Sequence, residues 1–261
     1  LLYHRAWLSI RGLGFKSRSA EQISARLLSR IDIGWAASLG MSMNDNTRAA
    51  DIQTRHLLLA LKAGEPKRIT RALAMEVPHM AGHTGLKMKE SAAALSHRAE
   101  ELSNQLDDPY LLALVLGTRG VAIYLNEQWA EAINVLERSE QLFRQRCRAV
   151  AWEMATVRTF QMWSLQQMGD LAALAIRCPA AVQEATERGD LYAVTNLRCF
   201  TSLVNWKNED VRSALHELDR ANQEWSHESY HIQHYAFHQA RVTTLLYQGD
   251  REAAWHSALS G

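Results

Sequence analysis

Residues 152–174 read WEMATVRTFQMWSLQQMGDLAAL, and this stretch decides the class of fold. A helical pattern runs up to Gln167, Gly169 and Asp170 interrupt it, and a second helical pattern follows. Glycine readily takes the left-handed conformation that ends a helix, and aspartate is a favoured N-cap for the next one. The glycine–aspartate pair therefore predicts a tight turn between two antiparallel helices.

The same kind of turn recurs along the chain. We expect the turns inside successive helix pairs near Glu127, Gly169, Asn208 and Gly249, with another glycine turn at Gly189 at the far end of a pair. Their spacing of roughly 40 residues is typical of helical-repeat proteins. One helix pair cannot bury its apolar face alone, so neighbouring pairs stack. The sequence thus predicts an all-α fold, a right-handed α-solenoid of degenerate tetratricopeptide-like repeats.

Composition supports the all-α class, because only four prolines occur and no alternating β-branched run persists. In the tetratricopeptide pattern, Gly120 takes the small position of a first helix and Ala132 the close-packing position of the second. Pro179 falls inside a predicted helix and should kink or split it, because proline removes a backbone hydrogen bond. Helices are expected before residue 12 and at 19–39, 46–63, 66–81, 87–106, 109–127, 129–147, 149–168, 170–188, 190–206, 209–225, 229–248 and 250–259.

Two parts are expected in the chain. Residues 1–106 should form the N-terminal helical part of the solenoid, and residues 107–261 should form tetratricopeptide-like pairs continuous with it, as one structural unit. The chain starts without methionine and stops within an amphipathic pattern. We therefore expect it to be a piece of a longer polypeptide.

Charge and cysteine content narrow the partners and the compartment. The 29 basic residues almost balance the 28 acidic ones, which disfavours binding to nucleic acid or to an anionic membrane surface. Cys147, Cys178 and Cys199 show no CxxC spacing and suit buried positions in a reducing compartment. No apolar run approaches the roughly 20 residues that a membrane-spanning helix requires. The sequence predicts a cytoplasmic protein.

Five phrases carry a resemblance to a known family: residues 30–61, 63–77 (AGEPKRITRALAMEV), 150–160, 187–198 (ERGDLYAVTNLR) and 233–250. They resemble the C-terminal helical region of bacterial multidomain serine/threonine protein kinases, in which a kinase domain and an ATPase module of the AAA/STAND type precede tetratricopeptide-like repeats. The resemblance implies a regulatory region without catalytic residues, since the chain contains no D-F-G motif. Related helical arrays also form the sensor region of ATPase-type transcriptional regulators, and this alternative stays open.

One motif favours a different class of protein. His227, Glu228 and His231 spell H-E-x-x-H, in which two histidines one helical turn apart bind zinc and the glutamate activates water. Asp250 could supply the third ligand of such a zinc-dependent hydrolase. Against this, serines before and after His227 are plausible N-caps, which would leave His227 in a frayed first turn. The other interpretation is a set of partly buried, hydrogen-bonded histidines between helices.

The repeat register also predicts a binding surface on the first helices of the pairs. Aromatic and amide side chains along a groove suit a peptide or a small ligand, although packing in the core is the alternative for each of them. We expect a non-catalytic region that binds a protein segment, an upstream domain of the same polypeptide or a small effector, with no cofactor. The predicted residues are Tyr124, Thr159, Trp163, Gln166, Asn196, Trp206, Gln239, Thr243 and Tyr247.

Overall fold

A computed structural model describes residues 1–42, 45–82, 86–207 and 210–260 of the chain. Over these ranges it consists of 13 α-helices and one short 3-10 helix, without a β-strand. The predicted all-α class is confirmed. The helices are α1 Leu2–Arg11, α2 Ala25–Met41, α3 Asn46–Ala63, α4 Pro66–Ala81, α5 Leu86–Leu106, α6 Pro109–Leu125, α7 Trp129–Arg146, α8 Ala151–Gln167, α9 Leu171–Glu187, α10 Leu191–Lys207, α11 Val211–Glu224, α12 Ile232–Gln248 and α13 Arg251–Leu259.

The chain divides into two compact units, Leu1–Glu153 and Met154–Gly261. In the first unit α2 packs on α3, α4 on α5 and α6 on α7, and α4 also contacts α6. In the second unit α10 contacts α9, α11 and α12, and α12 packs on α13. Helices that are consecutive in sequence are therefore neighbours in space, which is the arrangement of a solenoid-like repeat fold. The predicted division after residue 106 stays a prediction.

The helix boundaries follow from capping residues. Three aspartates, spaced by 40 residues, accept a hydrogen bond from the backbone N–H three positions on: Asp170 from Ala173 at 2.9 Å, and Asp210 and Asp250 from their counterparts at 3.0 Å. Gly169 and Gly249 precede two of them with φ of 69° and 88°. The turns predicted from these glycines are confirmed, whereas the turn predicted near Asn208 lies outside the described residues.

Two predicted helix starts are wrong. The segment expected to start at residue 19 first forms a 3-10 turn, Ala20–Gln22, in which the Ser19 N–H donates to Gln22 Oε1 at 3.1 Å, and α2 follows only at Ala25. The helix expected from residue 229 begins at Ile232, because the preceding residues form a separate hydrogen-bonded loop. Helix α9 continues through Pro179 and is not split.

Gly120 occupies a crowded contact between α6 and α7. A Cβ atom at this position would lie 2.6 Å from the Cγ and Cδ2 atoms of Leu136, which is fully buried on α7. Ala132, also fully buried, lies one turn before Leu136 on the same helix. The close packing that the repeat pattern predicts at Gly120 and Ala132 is confirmed.

A polar cluster is buried in the first unit among α1, α3 and α4. The Glu76 side chain is inaccessible to solvent, and its Oε1 accepts a hydrogen bond from the Thr54 hydroxyl at 2.8 Å. The Arg5 Nε lies 3.8 Å from the same oxygen, and Oε2 has no hydrogen-bond partner. Burial raises the pKa of Glu76 to about 7, against the lowering effects of Thr54 and Arg5.

No helix in the described ranges is at once long enough and apolar enough to span a bilayer.

Candidate functional site

The second unit repeats with a period of 40 residues in its side-chain contacts. Arg158 on α8 binds Glu184 on α9 at 2.6 Å, and Arg198 on α10 binds Glu224 on α11. Both arginines are almost completely buried, at 5% and 7% exposure. The third first helix, α12, carries His238 at the equivalent position. Equivalent positions on α8, α10 and α12 therefore face equivalent surroundings, apart from this substitution.

A groove runs over α8, α10 and α12, the first helices of these three pairs. All of its lining positions belong to five rows of the 40-residue register: 156/196/236, 159/199/239, 160/200/240, 163/203/243 and 166/206/246. Members of a row are 40 residues apart, and the rows follow one another at helical spacing, so they share one face of each helix. The groove is lined by Thr159, Trp163, Gln166, Asn196, Cys199, Phe200, Leu203, Ala236, Gln239, Ala240 and Thr243.

Aromatic rings build the wall of the groove on the α8 side. Trp163 meets Phe160 edge to face with ring centroids 4.9 Å apart, and it meets Phe200 of α10 at 6.4 Å. A second aromatic pair joins α10 and α12, where the rings of Trp206 and Tyr247 stack at 4.9 Å with an angle of 3° between their planes. The groove is shallow, because the volume open to the centre of a water-sized sphere is about 20 Å³.

The polar groups of the groove differ in their capacity for further hydrogen bonds. The hydroxyl of Thr159 donates to the Ala155 carbonyl at 2.8 Å, and that of Thr243 donates to the Gln239 carbonyl at 2.6 Å, so both hydrogens are already used. Within the described part of the chain, the side-chain carboxamides of Gln166 and Gln239 make no hydrogen bond. These two amides are the free donors and acceptors of the groove.

The predicted surface residues fall into three groups. Six of them line the groove: Thr159, Trp163, Gln166, Asn196, Gln239 and Thr243. Trp206 and Tyr247 form the stacked pair, and the Trp206 Nε1–H donates to the Thr244 hydroxyl at 3.2 Å. Tyr124 lies on α6 of the first unit and does not line the groove.

Sequence reasoning missed five lining residues. They are Cys199, Phe200, Leu203, Ala236 and Ala240. A strict 40-residue register would have found them, because each shares a row with a predicted residue or lies one helical turn from one. Burial raises the pKa of the Cys199 thiol to about 12, so this thiol is uncharged at neutral pH.

The histidine-rich segment does not have the geometry of a zinc site. His227 and His231 lie in the loop before α12, so they are not one turn apart on a helix. The Nδ1 atom of His231 accepts a hydrogen bond from the Trp225 indole at 3.2 Å, and its Nε2 lies 2.9 Å from the Ser229 hydroxyl. The His231 lone pair that would bind a metal is therefore already engaged.

Two further observations concern the same motif. Asp250, the expected third ligand, caps α13 beyond the far end of α12, and a helix of that length spans roughly 25 Å. Among the described residues, no group of three or more histidine, cysteine, aspartate or glutamate side chains is arranged to hold a metal ion. The ligand set predicted from His227, His231 and Asp250 is therefore wrong.

Comparison with known proteins yields no relative. No protein-family model matches the chain, and no curated protein is significantly similar to it in sequence.

Proposed function

We propose that this chain is a non-catalytic binding region whose second unit holds a segment of protein in the groove over α8, α10 and α12. The single observation that carries the proposal is the composition of that groove. It combines exposed aromatic surface with free carboxamides on three successive helices. Such a surface offers apolar contact together with hydrogen bonds that orient a bound chain.

The dimensions of the groove favour a protein segment over a small effector. A cavity needs about 10–15 Å³ of this kind of volume to hold one water molecule, so about 20 Å³ does not enclose a metabolite. A chain lying along the open groove can gain contact area by length instead of by depth. This favours the protein-segment alternative from the sequence.

The proposed setting is a cytoplasmic signalling polypeptide of the kind that the sequence resembles, a bacterial serine/threonine kinase with an ATPase module. There the groove would hold a segment of an upstream domain and bias its switch by binding one of its states more tightly. An ATPase-type transcriptional regulator would use the same device. Both settings predict the same role for the groove.

Site-specific photocrosslinking tests the proposal. A benzophenone amino acid placed at Gln239, which is exposed on the groove, should crosslink to a defined peptide of a partner or upstream domain. The same label at Gln248, exposed on the same helix but outside the groove, is the matched control. A synthetic copy of the captured peptide should bind the wild type and lose at least tenfold in affinity with Trp163→Ala. Equal crosslinking from both positions would refute the proposal.

A further inference from the structure

We infer that the groove selects an uncharged, extended polypeptide segment and holds it through its main chain with the carboxamides of Gln166 and Gln239. This inference rests on the proposed function and specifies the chemistry of the segment that would be bound.

The lining of the groove carries no formal charge. Charged residues make up 22% of the chain, yet none of the 11 lining residues is aspartate, glutamate, lysine or arginine. Cys199 is the only ionisable side chain among them, and burial keeps its thiol protonated. An ionic group placed in the groove would lose water and find no opposite charge, which costs free energy.

The arginines of the same three helices point their charge elsewhere. Arg158 and Arg198 bind glutamates of α9 and α11, and Arg241 of α12 binds Asp219 of α11. Each guanidinium is thus matched by a carboxylate of a second helix. The positive charges of α8, α10 and α12 are used for packing within the repeats, and the groove stays neutral.

The free polar groups match a polypeptide main chain. A carboxamide offers two N–H donors and one carbonyl acceptor, and each residue of a peptide offers one N–H and one C=O. Gln166 on α8 and Gln239 on α12 can therefore both donate to and accept from the same bound strand. The threonine hydroxyls cannot replace them as donors, because they already donate to carbonyls of their own helices.

The shape of the groove favours an extended strand. Ala236 and Ala240 on α12 are small, so a backbone can come close to this helix. Because the groove is shallow, side chains of the strand lie against Trp163 and Phe200 instead of entering a pocket. In an extended strand alternate side chains point the same way, so one half of them contacts the groove and the other half faces solvent.

A panel of synthetic peptides tests this inference on the full chain. The peptides have equal length and share a core of leucine, tyrosine, serine and asparagine, and two derivatives carry lysine or aspartate at alternate positions. Affinity is measured by fluorescence anisotropy at peptide concentrations up to about 1 mM, the range of weak single-segment binding. A further derivative of the best neutral peptide carries N-methyl groups on alternate main-chain nitrogens, which removes donors without adding charge.

The expected result has three parts. The neutral peptide binds at least fivefold more tightly than either charged derivative, its affinity is unchanged between about 50 and about 500 mM salt, and N-methylation abolishes binding. Gln239→Glu should reverse the preference toward the lysine peptide, while the matched variant Gln248→Glu on the same helix keeps the wild-type preference.

Two results would overturn the inference. Tighter, salt-sensitive binding of a charged peptide to the wild type would show that the groove selects by charge, and the proposed groove would still stand if Gln239→Glu changed that binding. Absence of binding for every peptide in the panel would also reject main-chain recognition. The proposed function is judged separately, by whether the Gln239 label captures a defined peptide.

Discussion

Replacing Glu76 by glutamine should stabilise the first unit in a pH-dependent way. The carboxyl is inaccessible to solvent, and burial raises its pKa from 4.5 to about 7. One step in pKa corresponds to about 1.4 kcal/mol, so the ionised carboxylate costs the folded state about 3 kcal/mol once the pH is well above 7. Glutamine keeps the acceptor for the Thr54 hydroxyl and carries no charge.

The sign follows from proton linkage. The folded state of the wild type binds the Glu76 proton more tightly than the unfolded state, so the associated stability is fully present below pH 4.5 and is lost as the pH rises through about 7. Glu76→Gln should therefore match the wild type near pH 4.5 and exceed it by about 3 kcal/mol at about pH 8.5. Urea unfolding read by pulsed hydrogen exchange of α4 peptides measures this difference.

Glu131→Gln is the control, since Glu131 is exposed on α7 in the same unit and should show no pH-dependent gain. A gain for Glu76→Gln that is the same at both pH values would mean that ionisation is not its cause. A loss of stability at the higher pH would refute the argument that the buried carboxylate is unfavourable.

Three further changes should be measurable. Gly120→Ala should lower the free energy of unfolding by about 1–3 kcal/mol, because its Cβ would clash with Leu136, and urea unfolding that shows no loss would contradict this. Glu127→Gly should raise it by about 1 kcal/mol, since Glu127 has φ of 64°, and an unchanged midpoint would count against it. Burial, followed by neighbouring histidines, lowers the pKa of His234, whose Nδ1 accepts from the His231 N–H at 2.9 Å. This cap should be stable above about pH 6.5 and open as the pH falls, seen as faster hydrogen exchange in the first turn of α12 at about pH 5; unchanged exchange would refute it.

The pH prediction depends on the charges around His234. The titratable groups that act on it are His227 and His231 of the loop and His238 of α12. At the end of α11, the Glu224 carboxylate is engaged with Arg198 and Arg220. Additional positive charge at the start of α12 would also oppose the helix dipole, which reinforces the direction of the expected change.

The helices were predictable because their signals are local. Gly169 and Asp170 act through the backbone conformation and hydrogen bonding of a few neighbouring residues, so the turn follows from the sequence alone. The start of α12 was not predictable from the same rules. Two serines suggested N-caps, but hydrogen bonds of His231 with Trp225 and Ser229 hold the preceding residues in a loop.

The groove was predictable in part. Polar and aromatic residues such as Thr159 and Trp163 stood out as unusual on a packed helix, and the structure brings them together. Ala236 and Ala240 carry no such signal, because alanine fits any helix surface. The separation of the arginines from the groove also could not be predicted, since it depends on which neighbouring helix presents a carboxylate.

The constant interval of 40 residues makes the second unit modular. Removing residues 171–210 would join Asp170 directly to α11, leave an aspartate in the capping position, and place Arg158 opposite Glu224 in the spacing that Arg198 now has. Such an excision would shorten the groove from three helices to two and leave its rows in phase. The number of hairpins sets how long a partner the chain can hold, and the residues within a hairpin set which partner it accepts.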